Sequence, residues 1–280
     1  MKVRKIRIDF SNAKVLWAPD APEFAQFWNA TSSLLPYLEP FLNRTVRACM
    51  EALPAESEEL RRDCKIFIAQ ESNHYRNHAC FNEVLRAGGY PELEARELKL
   101  KADYEAYWKQ KSQSYCLRYA EGFETTAPIL SCFFLEGARE MRNPSIDDPT
   151  VDLWRWHLCE EYEHRHVCFH LHEALHKSYW LRLWGLCYAS KHMLTYMIGT
   201  ARYLIREDRK AGRIPDPWRS RLRFASVMLR TFAYTIPRLI RAAAPGYDPV
   251  NLSPPAGYRA VLDDAERLWG VEPDAVTTKA

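Results

Sequence analysis

The stretch from Trp154 to His176, WRWHLCEEYEHRHVCFHLHEALH, holds six of the chain's nine histidines and no Pro or Gly. Coiled as a helix, which turns about 100° per residue, it brings His157, Glu160, Glu161 and His164 within roughly 100° of one another. Trp154, Trp156, Leu158 and Val167 flank them with apolar surface. A second stretch, FIAQESNHYRNHACF, repeats the device. Glu71, His74 and His78 fall within roughly 60° on a helix otherwise surrounded by Ile66, Phe67, Ile68 and Phe81. Each stretch therefore carries Glu-x-x-His with one more His a turn away. Carboxylate and imidazole on apolar helices is the donor set of a divalent metal, because such groups are costly to bury unpaired.

Helices can be drawn around these residues. The pattern predicts a first helix over Ser32–Leu53, a second over Ser57–Ala87 stopping at Gly88-Gly89, and a charged helical crossover over 91–110. A third covers Ser112–Met141. A fourth starts with Asp148 as N-cap and Pro149 at its first position, and continues to Ser178. Two helical hairpins joined by a longer crossover predict an all-α fold of the ferritin-like four-helix-bundle kind, with further helices near 179–210, 217–243 and 257–269. The implied layout is an N-terminal extension over 1–31, a metal-binding bundle over 32–178, a C-terminal helical extension over 179–270 and a flexible tail over 271–280. Glu39 and Glu71 lie equally far from the turn that joins their helices, so they meet at one depth. In the second hairpin Glu124 matches Glu161 and His164 better than Glu121, which stands a turn further from the connection. Four glutamates would then repel one another in the core unless two cations balanced them. One Glu from each of two helices, with Glu-x-x-His from each of the others, is the di-iron carboxylate pattern.

These pieces resemble a ferritin-like bacterial family described as "predicted metal-dependent hydrolase". The similarity rests on Pro36-x-x-Glu39, QESNHYRNH at 70–78, ETTA at 124–127 and WRWHLCEEYEHRHVCF at 154–169. It departs at Leu38, where Gly is expected. The resemblance implies a metal-binding bundle in which Glu39, Glu71, His74, Glu124, Glu161 and His164 hold the metal, with His78 and His157 either as additional ligands or as donors that orient a ligating carboxylate. The expected cofactor is two Fe ions, with Mn/Fe or Mn as the alternative. The donor set is similar to that of oxygen-activating di-iron oxidases and oxygenases. The leading expectation is therefore an O2-dependent oxygenase acting on a small organic substrate, aromatic or carboxylic. Trp154, Trp156, Phe123 and Phe133 would line its pocket, and Arg139 and Arg142 would favour an acid. The alternatives are a hydrolase, in which the metals make water nucleophilic at neutral pH, and a non-catalytic iron-binding protein.

Composition bounds the remaining options. The chain has 280 residues, 47% apolar and 27% charged, with a net charge of +3, too small to argue for nucleic acid. MKVRKIRIDF has no apolar signal segment, no run is long enough to span a bilayer, and the eight cysteines form no CxxC pair. A cytoplasmic protein with buried free thiols is expected. Between 200 and 241 eleven Lys/Arg face three acids, with aromatic residues interleaved. Packing of a basic amphipathic helix on the bundle is the favoured reading, with peripheral membrane contact and a homodimer as candidate associations.

Overall fold

Asp148 shows how local chemistry sets the helix that carries half the site. Its Oδ1 accepts the Thr150 N–H at 2.9 Å, its Oδ2 accepts the Lys14 N–H at 3.0 Å, and Pro149 opens the helix. The structure, a computed structural model, describes residues 1–142 and 146–272. Those residues are all-α. The helices are α1 (Pro22–Ser32), α2 (Leu35–Glu51), α3 (Glu58–Ala87), α4 (Leu93–Gln110), α5 (Gln113–Cys132), α6 (Pro149–His164), α7 (Val167–Leu175), α8 (Tyr179–Lys210), α9 (Pro217–Ala242) and α10 (Tyr258–Trp269). An isolated antiparallel bridge joins Arg4 to Val271. Most of the expected tail, from residue 273 onward, lies outside the described residues.

α2 packs on α3 and α5, and α6 packs on α5 and α3, so these four helices close a bundle with α4 as the crossover. α8 lies along α1 and α5, α9 touches the same two helices, and α10 rests on α6. One continuous apolar core runs through these contacts.

Three expected elements differ. Residues 22–31, assigned to the N-terminal extension without an element, form with Ser32 the helix α1, in which every residue is buried. A helix covered on all sides has no polar face, so no periodicity betrays it. The third helix ends at Cys132, not Met141. Pro128 already removes a donor from it, and the chain then opens into a π turn over Phe133–Gly137, closed by Ala138 N–H to Phe133 C=O at 2.7 Å. The fourth helix breaks after His164 although no Pro or Gly marks the place. The Arg165 guanidinium answers the carbonyls of Tyr162, Pro249 and Val250 around the break. All eight cysteines are unpaired, but Cys80 and Cys187 are exposed where buried thiols were expected.

α5 and α8 approach closely because two glycines face each other. A Cβ on Gly122 would stand 2.6 Å from the Gly185 carbonyl oxygen, and one on Gly185 would strike the Arg118 backbone. Gly185→Ala should therefore force the helices apart and cost about 1–3 kcal/mol. Equilibrium denaturation measures this, and an unchanged midpoint would contradict the packing.

Candidate metal centre

The bundle gathers seven of the eight expected residues in its interior. Glu39 comes from α2, Glu71 and His74 from α3, Glu124 from α5, and His157, Glu161 and His164 from α6. They form two groups in which one donor atom from each residue lies within 4.8 Å of the others: Glu39, His74, His157 and Glu161; and Glu71, Glu124, Glu161 and His164. Glu161 belongs to both. Its Oε1 is 2.9 Å from His157 Nε2 and 3.6 Å from His74 Nδ1, and its Oε2 is 3.6 Å from His164 Nε2. Glu71 also spans the pair, with Oε1 3.4 Å from His74 Nδ1 and 3.2 Å from His164 Nε2.

The eighth residue, His78, stands one step outside. Its Nε2 is 2.6 Å from His157 Nδ1 and its Nδ1 is 2.8 Å from Ser32 Oγ, so both ring nitrogens are engaged away from the carboxylates. The choice between Glu121 and Glu124 resolves for Glu124. Glu121 accepts from Thr125 Oγ1 at 2.9 Å and lies 3.7 Å from Arg182.

Whether these groups suit a cation can be judged from their unused atoms. Both oxygens of Glu39, Glu71 and Glu124, Oε2 of Glu161, Nδ1 of His74 and Nε2 of His164 are buried and make no hydrogen bond. Such atoms ordinarily find partners. Here they converge on one another, as donors to a positive charge do. Burial, then the repulsion of Glu71, Glu161 and Glu124, pushes Glu39 well above the usual carboxylate range. Glu124 rises well above it from burial and from Glu161 and Glu71, and Glu71 rises from burial and Glu161. Burial also works on Glu161, but His164 and His157 outweigh it and hold that carboxyl well below the range. Burial opposes charge on His74, yet its hydrogen bonds to Glu160 and Glu71 push it up to about 10. Burial and neighbouring His74 bring His157 down to about 4.

A layer of fixed partners surrounds the donors. His74 Nε2 faces Glu160 Oε2 at 3.1 Å, leaving Nδ1 turned inward. Glu160 is held by Arg4 Nη1 at 2.7 Å, and Arg4 also binds Glu163 and Glu266. His164 Nδ1 faces Gln70 Oε1 at 3.0 Å, and Gln70 donates to Glu163 at 2.6 Å. On the other side Ser32 links His78 to Asn82. Partners of this kind fix the ring orientation of a ligating histidine.

A model of the family described as "Predicted metal-dependent hydrolase" matches residues 2–252. The chain belongs to this family. No curated protein and no solved structure matches it. The family is metal-dependent by its description, and the buried Glu/His groups provide the place for a divalent cation. For this family member the sequence pattern did not point to Arg4, Gln70, Ser32 or Asn82, and it placed Glu160 on the polar face without naming its partner. Gln70, next to Glu71 on the same helix, carried a usable signal. Arg4 carried none, because it reaches the centre from an irregular segment.

Beside His157 and Glu161 lies an apolar cavity of about 40 Å³, walled by Trp28, Leu35, Phe123, Trp154, Met193 and Met197 among others. Phe123 and Trp154 thus line a pocket as expected, whereas Trp156 packs on His74 and Phe133 on Tyr234. Arg139 is 67% exposed and lies 3.6 Å from Glu140, giving no support for an acidic substrate. The Arg142 side chain lies outside the described residues.

Two outcomes follow from this geometry. Arg4→Ala releases Glu160 and hence His74, so divalent-metal affinity should drop about 10–100-fold while the helices persist; isothermal titration with Mn2+, beside circular dichroism, reads this. The pH dependence follows from the raised carboxyls. Metal-free folded protein keeps protons that the unfolded chain releases above the ordinary value of 4.5, so these three groups remove stability as pH rises past it. Glu161 acts oppositely, and its contribution is lost as pH falls. His157 and His78, held below the ordinary imidazole value, act against the three raised groups up to about pH 6.5, so the raised carboxyls are read through metal binding: Mn2+ affinity should increase from about pH 5 toward neutrality as their protons are displaced. An affinity that stays flat or falls over that interval would contradict the charge assignment.

Proposed function

We propose that the chain is a dinuclear metal-dependent hydrolase acting on a small apolar substrate. The observation that carries this reading is Glu161, whose two oxygens face separate groups of otherwise unbonded donors. Glu39, His74 and His157 would complete one metal position, and Glu71, Glu124 and His164 the other. When bound, such a pair lowers the pKa of a coordinated water toward neutrality and polarises a substrate oxygen. The protein's share is orientation and exclusion. Arg4, through Glu160, fixes the His74 ring, and Gln70 fixes His164. His78 and Ser32 fix His157 from the other side. Trp28, Phe123, Trp154 and the two methionines keep bulk water from the cavity and favour an apolar group beside His157 and Glu161.

The family description and the buried Glu/His groups support hydrolysis better than the oxygenase first expected from the sequence. One feature favours the oxygen-activating reading as a second: the carboxylate-rich donors come from four helices in the di-iron pattern. Dioxygen separates the two. Protein loaded with Mn2+, Fe2+ or Zn2+ should hydrolyse short-chain apolar esters, amides or phosphoesters under anaerobic conditions, and chelator should abolish turnover. Glu71→Ala and His164→Ala should lose metal and activity together, by at least about 100-fold in kcat/KM. Turnover that demands oxygen, with no anaerobic hydrolysis by any of the three metal forms, would overturn the hydrolase reading in favour of the second.

A further inference from the structure

α9 is reversed for a helix that packs on a bundle. Its buried positions are Ser220, Phe224, Val227, Thr231, Thr235 and Ala242, half of them hydroxyl residues. The larger apolar side chains point outward: Trp218, Leu222, Leu229, Ile236 and Ile240 are 50% to 70% exposed. At about 100° per residue these five fall within roughly 40° of one another, a straight stripe about 33 Å long. On α8, Trp180, Leu181 and Trp184 are exposed near its start, where Trp184 stacks on Tyr188. The two helices are tied at both ends, by Arg182 Nη1 to the Ala242 carbonyl and by Arg209 Nη2 to Ser220 Oγ, each 2.9 Å. Five of the eleven large apolar side chains exposed among the described residues lie on the one stripe of α9, so the exposure is concentrated and not the ordinary scatter of a surface.

Charge selects the occupant. α9 carries six arginines and no Asp or Glu. Arg223 and Arg230 are bound to Glu23 and Glu140 of the bundle side, while Arg219, paired with Asp216 at 3.3 Å, and Arg221 stand exposed on either side of the stripe, with Arg241 exposed further round the helix. A second copy seated on α9 would set guanidinium groups against guanidinium groups, with only Asp216 at each helix start, already paired with Arg219, to answer them. A bilayer with anionic headgroups accepts both the apolar stripe and the arginines, and its interface suits the tryptophan at Trp218. No helix among the described residues is long and apolar enough to cross a membrane, so the contact is in the plane of the surface.

We propose that the exposed apolar stripe of α9 docks on anionic lipid bilayers. α9 packs on α5, which supplies Glu124 to the candidate centre and Phe123 to its cavity, so docking sets the lipid surface one helix away from that centre. That consequence rests on the functional reading above; the docking does not.

Flotation of the full chain with vesicles tests the proposal. Phosphatidylcholine vesicles containing about 30% phosphatidylserine should carry the protein, pure phosphatidylcholine far less, and about 0.5 M salt should release much of it. Leu229→Glu with Ile236→Glu should weaken the apparent affinity at least roughly tenfold with helicity and metal content intact. If that variant misfolds, Arg219→Ser with Arg221→Ser and Arg241→Ser keeps the stripe and should lose the preference for phosphatidylserine. Failure of the wild-type chain to float with anionic vesicles at low salt overturns the proposal, as does equal binding by folded Leu229→Glu/Ile236→Glu. A wild-type dimer by light scattering that ignores vesicles, and that the paired glutamates make monomeric, would assign the face to a second copy and overturn it too.

Discussion

Four carboxylates share one buried space, and the rest of the molecule is arranged around that constraint. Two unit charges 4 Å apart interact by about 4 kcal/mol at an effective dielectric near 20, so Glu39, Glu71, Glu124 and Glu161 cannot all be ionised side by side unaided. Protonation offers one way out and divalent cations another. His74 Nδ1 and His164 Nε2 favour the second, because they present further buried donors toward the same carboxylates with no hydrogen bonds to occupy them. Only helices from all four walls of the bundle can bring these groups together, since each wall contributes at most three of the seven.

Holding the donors in place requires more than the four walls. Arg4, 2% exposed, joins Glu160 and Glu163 of α6 to Glu266 of α10. The beginning of the chain and one of its last helices thereby control the ring of His74, and Glu163 does the same for His164 through Gln70. α1, the helix that sequence patterning leaves out, supplies Ser32 to His78 and Trp28 to the cavity wall. Elements that look peripheral along the sequence are thus the ones that orient the centre.

Much of the site could be read from spacing alone because helix geometry is regular. Glu-x-x-His places both side chains on one face, and equal distance from a turn places Glu39 opposite Glu71. The same counting chose Glu124 over Glu121, which the structure gives to Thr125 and Arg182. Helix starts at Asp148-Pro149 and the stop before Gly88 were legible because their signals are local. What spacing could not reveal depends on contacts distant in sequence. Nothing near Arg4 announces Glu160, 156 positions away. The break at Arg165 is satisfied by carbonyls near residue 250 and carries no breaker residue. His78 has the helical phase of a ligand, yet Ser32 and His157 take both of its nitrogens, which no wheel can show.

The most direct test of the central claim is the metal content of the chain, by elemental analysis after growth in metal-replete medium and exhaustive desalting. Two divalent ions per chain in the wild type, with both lost in Glu161→Ala and about one retained in Glu39→Ala, is the pattern two groups sharing Glu161 require. A wild-type chain that binds none, or a Glu161→Ala chain that keeps both, would contradict it.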